Sequence, residues 1–463
     1  MSQLLPAADR PLPPAVAPVT PPIPDAPSSP AVTPAVGVAA PVAPGARTAV
    51  VGLGYVGLPT SLALVDSGAR VIGVDIDPAR LDDIRADRAD LLDVDRERLR
   101  DTLRATDPAL RLTTSIAEIA DADTVLICVP TPVDRHLDPD LTALRAACAA
   151  VVAHARAGQT IVLTSTSYVG TTRDLLVEPL AARGLRVGQE VWVAFAPERV
   201  DPGNDGHRQE LTPRVVGGVT PDCTARAATA LARITPRVHR LGSPEAAEMT
   251  KLLENTFRAV NIALANEFAD VCRDLHLDVT EVIDGAATKP YGFMAFQPGP
   301  GVGGHCIPCD PHYLLWQLRG QRREAPLIET AMRGISARPR RVVERVRDLL
   351  AGSGRTLLGA RVLLVGVTYK PGVADVRESP ALEIIGELVR AGADVGFVDD
   401  LVASVRTPDG ATLHRLTDHT DREWDLVVVH TAQADLDEAW LRGQPMVLDA
   451  TYRMTGLPRR EVV

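Results

Sequence analysis

No apolar stretch of the 463-residue chain reaches the roughly 18 uninterrupted residues that a membrane-spanning helix needs. The N-terminus also lacks the basic-then-apolar pattern of a secretory signal, so neither a membrane span nor export is expected. Excess positive charge is missing as well: 49 basic against 59 acidic residues leave a formal net charge of -10. No global pull toward nucleic acid or an anionic membrane is expected, and any anionic ligand must be held by local groups. Cysteine is sparse. Its six copies, Cys128, Cys148, Cys223, Cys272, Cys306 and Cys309, lie mostly in apolar runs, as the reduced thiols of a cytoplasmic protein do. Zinc spacing is absent: the Cys306/Cys309 pair has no second Cys-x-x-Cys or His-x-x-x-His, and His305 and His312 share its short loop, so no metal is expected.

What is present comes in blocks, and the length suggests about two to four domains. Residues 1–45 are nearly all Pro, Ala, Val, Ser and Thr and hold 13 of the 38 prolines; such a segment supports neither helix nor ladder and reads as a disordered, partly polyproline tail. From Thr48, "TAVVGLGYVGLP" is a buried strand, a Gly-rich turn and a helix start, and "RVIGVDID" is the strand that closes a βαβ unit. Further strands at "DTVLICVPTP", "QTIVLTST" and "VWVAFAPERV" end in polar or turn residues, as parallel strands do where they deliver functional loops. A helix is expected over about 244–275, with Leu253, Phe257, Val260, Leu264, Phe268, Val271 and Leu275 as one apolar stripe. A second α/β block runs through "ARVLLVGVTYKP", "SPALEIIGELVRAG", "DVGFVDD", "WDLVVVHT" and "PMVLDA". The expected domains are 46–240, 241–342 and 343–463.

Gly52, Gly54 and Gly57 form Gly-x-Gly-x-x-Gly around Tyr55 and Val56, between strand and helix, where the backbone turns tightly and a helix N-terminus faces a pyrophosphate. Asp75 closes the next strand, 18 residues beyond Gly57, where a carboxylate accepts the ribose hydroxyls of NAD and repels the extra phosphate of NADP. On the long helix, Lys251, Asn255 and Arg258 lie at i, i+4 and i+7, opposite the apolar stripe; alone, this also describes any surface helix. The run "PGPGVGGHCIPCDPHY" over 298–313 admits a redox dithiol, a nucleophilic cysteine or a structural turn. Pro308 between the thiols speaks against the dithiol, while the glycines, His305 and Asp310 suit a nucleophile.

These residues carry a family resemblance. The chain from about Arg47 onward resembles the nucleotide-sugar 6-dehydrogenases of the UDP-glucose/GDP-mannose dehydrogenase family in "VVGLGYVGLP", "VPTP", "STSYVGTT", "APERVDPGN", "EMTKLLENTFRAVNIALANE", "GPGVGGHCIPCDPHYL" and "YKPGVADVRESPA", in order. The resemblance implies an α/β fold: a Rossmann NAD-binding domain, a central helical domain that pairs subunits into a homodimer, and a Rossmann-like UDP-binding domain. It implies a four-electron oxidation with NAD, Cys306 as nucleophile, and Lys251 and Asn255 as stabilisers of oxygen charge at the sugar's sixth carbon. Asp310, Glu198 and Thr131 match residues that position water and relay protons. Gly303, His305, Lys370 and Arg377 match substrate contacts, and Arg258 belongs to the run shared with enzymes of N-acetylated sugars.

The sequence departs from the family's pattern at three places. Cys309 replaces the usual valine, isoleucine or lysine, Thr451 stands where an arginine reaches the nucleotide, with Arg453 two residues on, and the proline-rich tail has no counterpart. "APERVDPGN" and "GAATKPYGF" are most similar to enzymes of UDP-N-acetylglucosamine; UDP-N-acetylmannosamine and UDP-glucose remain open. Two rivals are a two-electron dehydrogenase that does not need Cys306, and a binding protein that has kept the fold without the chemistry.

Overall fold

The computed structural model describes residues 46–463 apart from 90, 92, 135, 200–208, 305, 306, 408, 409 and 455. The proline-rich segment, His305 and Cys306 therefore lie outside the described residues. Strands β1 (Arg47–Val51), β2 (Arg70–Val74), β3 (Leu110–Thr113), β4 (Thr124–Ile127), β5 (Thr160–Leu163), β6 (Trp192–Phe195), β7 (Arg214–Gly218) and β8 (Val238–Leu241) form one sheet in the order β3-β2-β1-β4-β5-β6-β7-β8. All neighbours are parallel except β6 and β7. The central strands are runs of Val, Ile and Leu because helices cover both faces, leaving no solvent side for polar residues. The chain winds outward from β1 to β3 and then returns to β4, so a crevice opens at the C-terminal ends of β1 and β4.

The second sheet repeats the plan. Strands β9 (Arg361–Val365), β10 (Asp394–Val398), β13 (Leu426–Val429), β14 (Val447–Asp449) and β15 (Arg460–Val462) lie parallel in the order β10-β9-β13-β14-β15. Strands β11 (Ser404–Arg406) and β12 (Thr412–His414) form a separate antiparallel ribbon.

Between the sheets runs the helix Pro244–Asp274, 31 residues or roughly 46 Å long. Pro244 occupies its first turn and the Ser243 hydroxyl accepts from Ala246 N, which fixes its start. Its early residues Ala247 and Leu252 join the core of the first sheet, while Ala269 and Cys272 join the core of the second. One rigid rod thus links both cores. The helix also inverts the usual amphipathic arrangement: Glu248, Lys251, Asn255 and Asn266 are buried, whereas the apolar stripe faces outward, with Leu253 63% and Phe268 50% exposed. Helices Asp310–Gly320 and Pro326–Gly352 complete the central layer.

Candidate active site

The Gly-rich turn after β1 has three different glycine requirements. Gly52 adopts φ +90°, and a Cβ on it would lie 2.8 Å from Cys128 O. A Cβ on Gly57 would collide with Gly52 O, so only glycine lets the helix Gly57–Asp66 begin this close to the strand. Gly54 has nothing within 4 Å of its Cβ position, which leaves open space above the turn. Asp75 follows β2 and ties the turn down: Oδ2 accepts from Leu53 N at 2.8 Å and Oδ1 from Asp77 N at 3.0 Å. Val56 precedes the helix, and Tyr55 lies 5.5 Å from the guanidinium carbon of Arg377.

Across the crevice, Lys251, Asn255 and Asp310 form a buried polar cluster. Lys251 and Asn255 project from one face of the long helix, and Asp310 opens the helix Asp310–Gly320. Asn255 Nδ2 donates to Asp310 Oδ2. Burial pushes the Asp310 carboxyl up to about 6, against the opposing pull of the Lys251 charge and the Asn255 bond. Thr131 reaches this helix from the loop after β4, where it bonds to the buried Tyr313, whose hydroxyl also donates to Pro132 O at 3.3 Å. Glu198, past the end of β6, is paired with the buried Arg214 of β7, and its Oε1 accepts from Arg199 N at 2.8 Å. Arg199 in turn pairs with Glu254, the neighbour of Asn255 on the long helix.

The loop entering 305–306 is threaded against the second sheet's domain. A Cβ on Gly303 would lie 2.6 Å from Tyr369 Cβ and 2.7 Å from Glu378 O, and Gly304, at φ +82°, donates its N–H to Arg377 O at 3.3 Å. Lys370 lies half-buried beside this contact in the loop after β9. Arg377 holds Asp375 through both Nε and Nη2, so one residue touches the Gly-rich turn, the cysteine loop and its own domain. Arg258 is exposed, two turns beyond Lys251 on the same helix. Thr451 is turned onto the buried Asp449, with Oγ1–Oδ1 at 2.6 Å, and Arg453 is exposed.

The comparisons with known proteins agree with the two-sheet, central-helix layout. Models of the UDP-glucose/GDP-mannose dehydrogenase family match three segments: the NAD binding domain at 46–235, the central domain at 245–334 and the UDP binding domain at 363–454. The chain belongs to the UDP-glucose/GDP-mannose dehydrogenase family. It is an NAD-dependent nucleotide-sugar dehydrogenase, and its α/β architecture is the family's three-domain one. The chain is similar to a UDP-N-acetyl-D-mannosamine dehydrogenase of Escherichia coli K12, at 36% identity over 350 residues, covering 73% of this chain and 81% of that protein. A UDP-N-acetyl-D-glucosamine 6-dehydrogenase of Pseudomonas aeruginosa is 33% identical over 363 residues, covering 77% and 83%. Among solved structures, a UDP-D-ManNAc dehydrogenase from Pyrococcus horikoshii superposes with TM-score 0.80 at 30% identity, covering 90% of this chain and 99% of that one.

NAD fits what the dehydrogenase presents: open space over Gly54, a helix N-terminus at Gly57 and a half-buried carboxylate at Asp75. No group of three or more metal-ligating side chains occurs among the described residues. Sequence reasoning missed Glu248, Arg214 and Tyr313. Glu248 is buried and accepts from Gly170 N, Thr172 N at 2.9 Å and Thr172 Oγ1 at 2.6 Å, which fixes the "STSYVGTT" loop to the long helix. Its position one turn before Lys251 was a legible signal. Tyr313 gave none, because its partner Pro132 is 181 residues away, and Arg214 gave none, because an arginine at the start of a strand is an ordinary residue until the fold turns it onto Glu198.

Proposed function

We propose that this dehydrogenase oxidises the 6-hydroxymethyl group of a UDP-sugar to a carboxylate, with UDP-N-acetylglucosamine as substrate and Cys306 as nucleophile. The observation that carries the reading is the buried Lys251–Asn255–Asp310 cluster, whose acid lies four residues beyond Cys306. NAD, when bound, supplies the hydride acceptor, and two molecules are consumed per sugar. The alcohol first loses a hydride and a proton to give the aldehyde. The Cys306 thiol adds across the carbonyl to give a thiohemiacetal, which holds the aldehyde in place. Loss of a second hydride and proton leaves a thioester, and water cleaves its C–S bond, returning the thiol and releasing the acid. One sugar, two NAD and one water thus become one carboxylate, two NADH and three protons.

Lys251 and Asn255 stabilise negative charge on the sixth-carbon oxygen, where a buried cation and amide donor act strongly. Asp310, with its carboxyl near 6, takes and returns protons close to neutral pH. Glu198 and Thr131 position the water. Lys370 and Arg377 bear on the nucleotide, Gly303 and His305 on the sugar, and Arg258 on its acetamido group. The outward apolar stripe of the long helix supports a homodimer, since a patch of this kind marks an interaction surface. Cys128, Cys148, Cys223 and Cys272 are free and buried, which supports a reducing, cytoplasmic setting; among the described residues no helix is long and apolar enough to cross a membrane.

UDP-N-acetylmannosamine is the second reading, favoured by the Escherichia coli relative and the Pyrococcus structure. The test is kcat/KM for both N-acetyl sugars and UDP-glucose. A site that pairs the acetamido N–H and carbonyl should prefer an N-acetyl sugar over UDP-glucose by about 100-fold or more, because with UDP-glucose bound those partners are left unsatisfied. Preference for UDP-N-acetylmannosamine selects the second reading; preference for UDP-glucose removes both.

A further inference from the structure

Two buried side chains grip the same residue of the Gly-rich run, seven positions before Cys306. Asn266 of the long helix is 6% exposed, and its Oδ1 accepts from Gly299 N at 2.9 Å. Arg338, 2% exposed on the helix Pro326–Gly352, donates Nε to Gly299 O at 2.9 Å. Gly299 thus has its backbone N–H and C=O fixed from two different helices. The other arms of the Arg338 guanidinium reach Asp270 Oδ1 at 2.7 Å and the Tyr452 hydroxyl at 2.7 Å, and that hydroxyl donates to Val463 O at 2.8 Å. Burying a guanidinium is unfavourable unless its donors are matched, and apolar residues of similar size often serve stability as well or better. Its helix neighbours Met332, Ile335, Val342 and Val343 are apolar and buried, so the guanidinium is the exception on this face. Position, which a planar fork of donors defines, is what Arg338 adds.

Beyond Gly299 the run has little freedom to absorb an error. Gly301 adopts φ +147°, and a Cβ there would lie 2.8 Å from Pro380; Gly303 and Gly304 are wedged against Tyr369. A shift of the Gly299 anchor is therefore passed along the run as far as Gly304, the last described residue before the cysteine. We propose that Arg338 and Asn266 are positioning residues that set the reach of the Cys306 thiol toward the substrate carbon through the Gly299 backbone. This rests on Cys306 being the nucleophile. Neither side chain contacts the reacting atoms in this account.

The expected consequence is a loss of aldehyde capture, with substrate affinity little changed. The variants Arg338→Lys and Asn266→Ala are made in the full chain. Asp270 keeps cationic neighbours in both, from Arg341 at 3.6 Å and Arg273 at 3.7 Å, which favours folding. Each is assayed for kcat and sugar KM, for aldehyde trapped as a semicarbazone, and for the rate of Cys306 alkylation by iodoacetamide without substrate. Misplacing a reacting group by about 1 Å can cost about 100-fold, so kcat should fall about 10- to 100-fold while the sugar KM stays within about 3-fold. Semicarbazone should appear, and the alkylation rate should change by about 3-fold or more. Tyr452→Phe, which leaves the Gly299 bonds in place, is the stability control: it should lower Tm without releasing aldehyde. Folded variants with parental kcat, no trapped aldehyde and unchanged alkylation overturn the proposal. A parent that forms one NADH per sugar removes the nucleophile reading instead, and the alkylation rates still decide whether Arg338 and Asn266 set the loop.

Discussion

Asp310 is a carboxyl whose protonation is set by its surroundings. Burial raises its pKa from 3.8 to about 6, so the folded state holds the proton more tightly than the unfolded chain does. The contribution to stability is fully present below about pH 3.8 and is lost as the pH rises through about 6, at up to about 1.4 kcal/mol per pH unit for one group. Denaturant melts of the parent and Asp310→Asn between pH 4 and 7 should differ by that slope; parallel curves would mean that the carboxyl is not perturbed. The thiols give a second prediction at this scale. Cys306→Ser should retain nucleotide-sugar binding by calorimetry and form no acid, because serine has no accessible anion at neutral pH. Cys309→Ser, at a buried site, should stay within about 3-fold of parental activity under reducing conditions, as a small volume-conserving change allows. The reverse pattern would name the other thiol.

At the scale of elements, the long helix shows what periodicity can and cannot tell. Its 3,4 spacing of Leu253, Phe257, Val260, Leu264, Phe268, Val271 and Leu275 was plain in the sequence, yet the same pattern describes a core-facing or a partner-facing stripe. The structure separates the two: this stripe faces outward, and the Lys251–Asn255 side is buried against the sheet domain and Asp310. Strands ending in functional loops were legible because β1, β4, β5, β9 and β13 are near-continuous apolar runs. Strands β3, β8 and β15 were not, since Arg111, His239, Arg240, Arg460 and Glu461 interrupt them and only sheet-edge positions tolerate that. The dimer reading makes a sharp prediction here. Leu264→Glu should shift sedimentation toward the monomer by weakening association about 10-fold or more, because a charge on an apolar interface is desolvated without a partner. A dimer of parental affinity would place the subunit contact elsewhere.

Across the whole molecule, the two large sheets share one local device at the first strand's end. Gly52 donates to Val74 O while Asp75 ties down Leu53 N; in the second sheet Gly366 donates to Val398 O while Asp399 accepts from Val367 N at 2.7 Å. The difference lies in what remains available: Asp399 is buried, whereas Asp75 is half-exposed beside the open space over Gly54. Among the described residues at these two turns, only Asp75 is left accessible to a ligand. Local motifs made both sheets and the cluster on the long helix readable. What the sequence did not reveal is long-range pairing, such as Glu198 with Arg214 or Gly299 with Arg338, in which the residue types are ordinary and the fold alone brings them together. On the proposed mechanism one protein removes four electrons from one carbon without releasing the aldehyde. Counting the NADH formed per UDP-N-acetylglucosamine consumed to completion, with semicarbazide present, decides this. Two NADH per sugar and no semicarbazone are expected; one NADH per sugar, with the aldehyde recovered as its semicarbazone, would rule the four-electron reaction out.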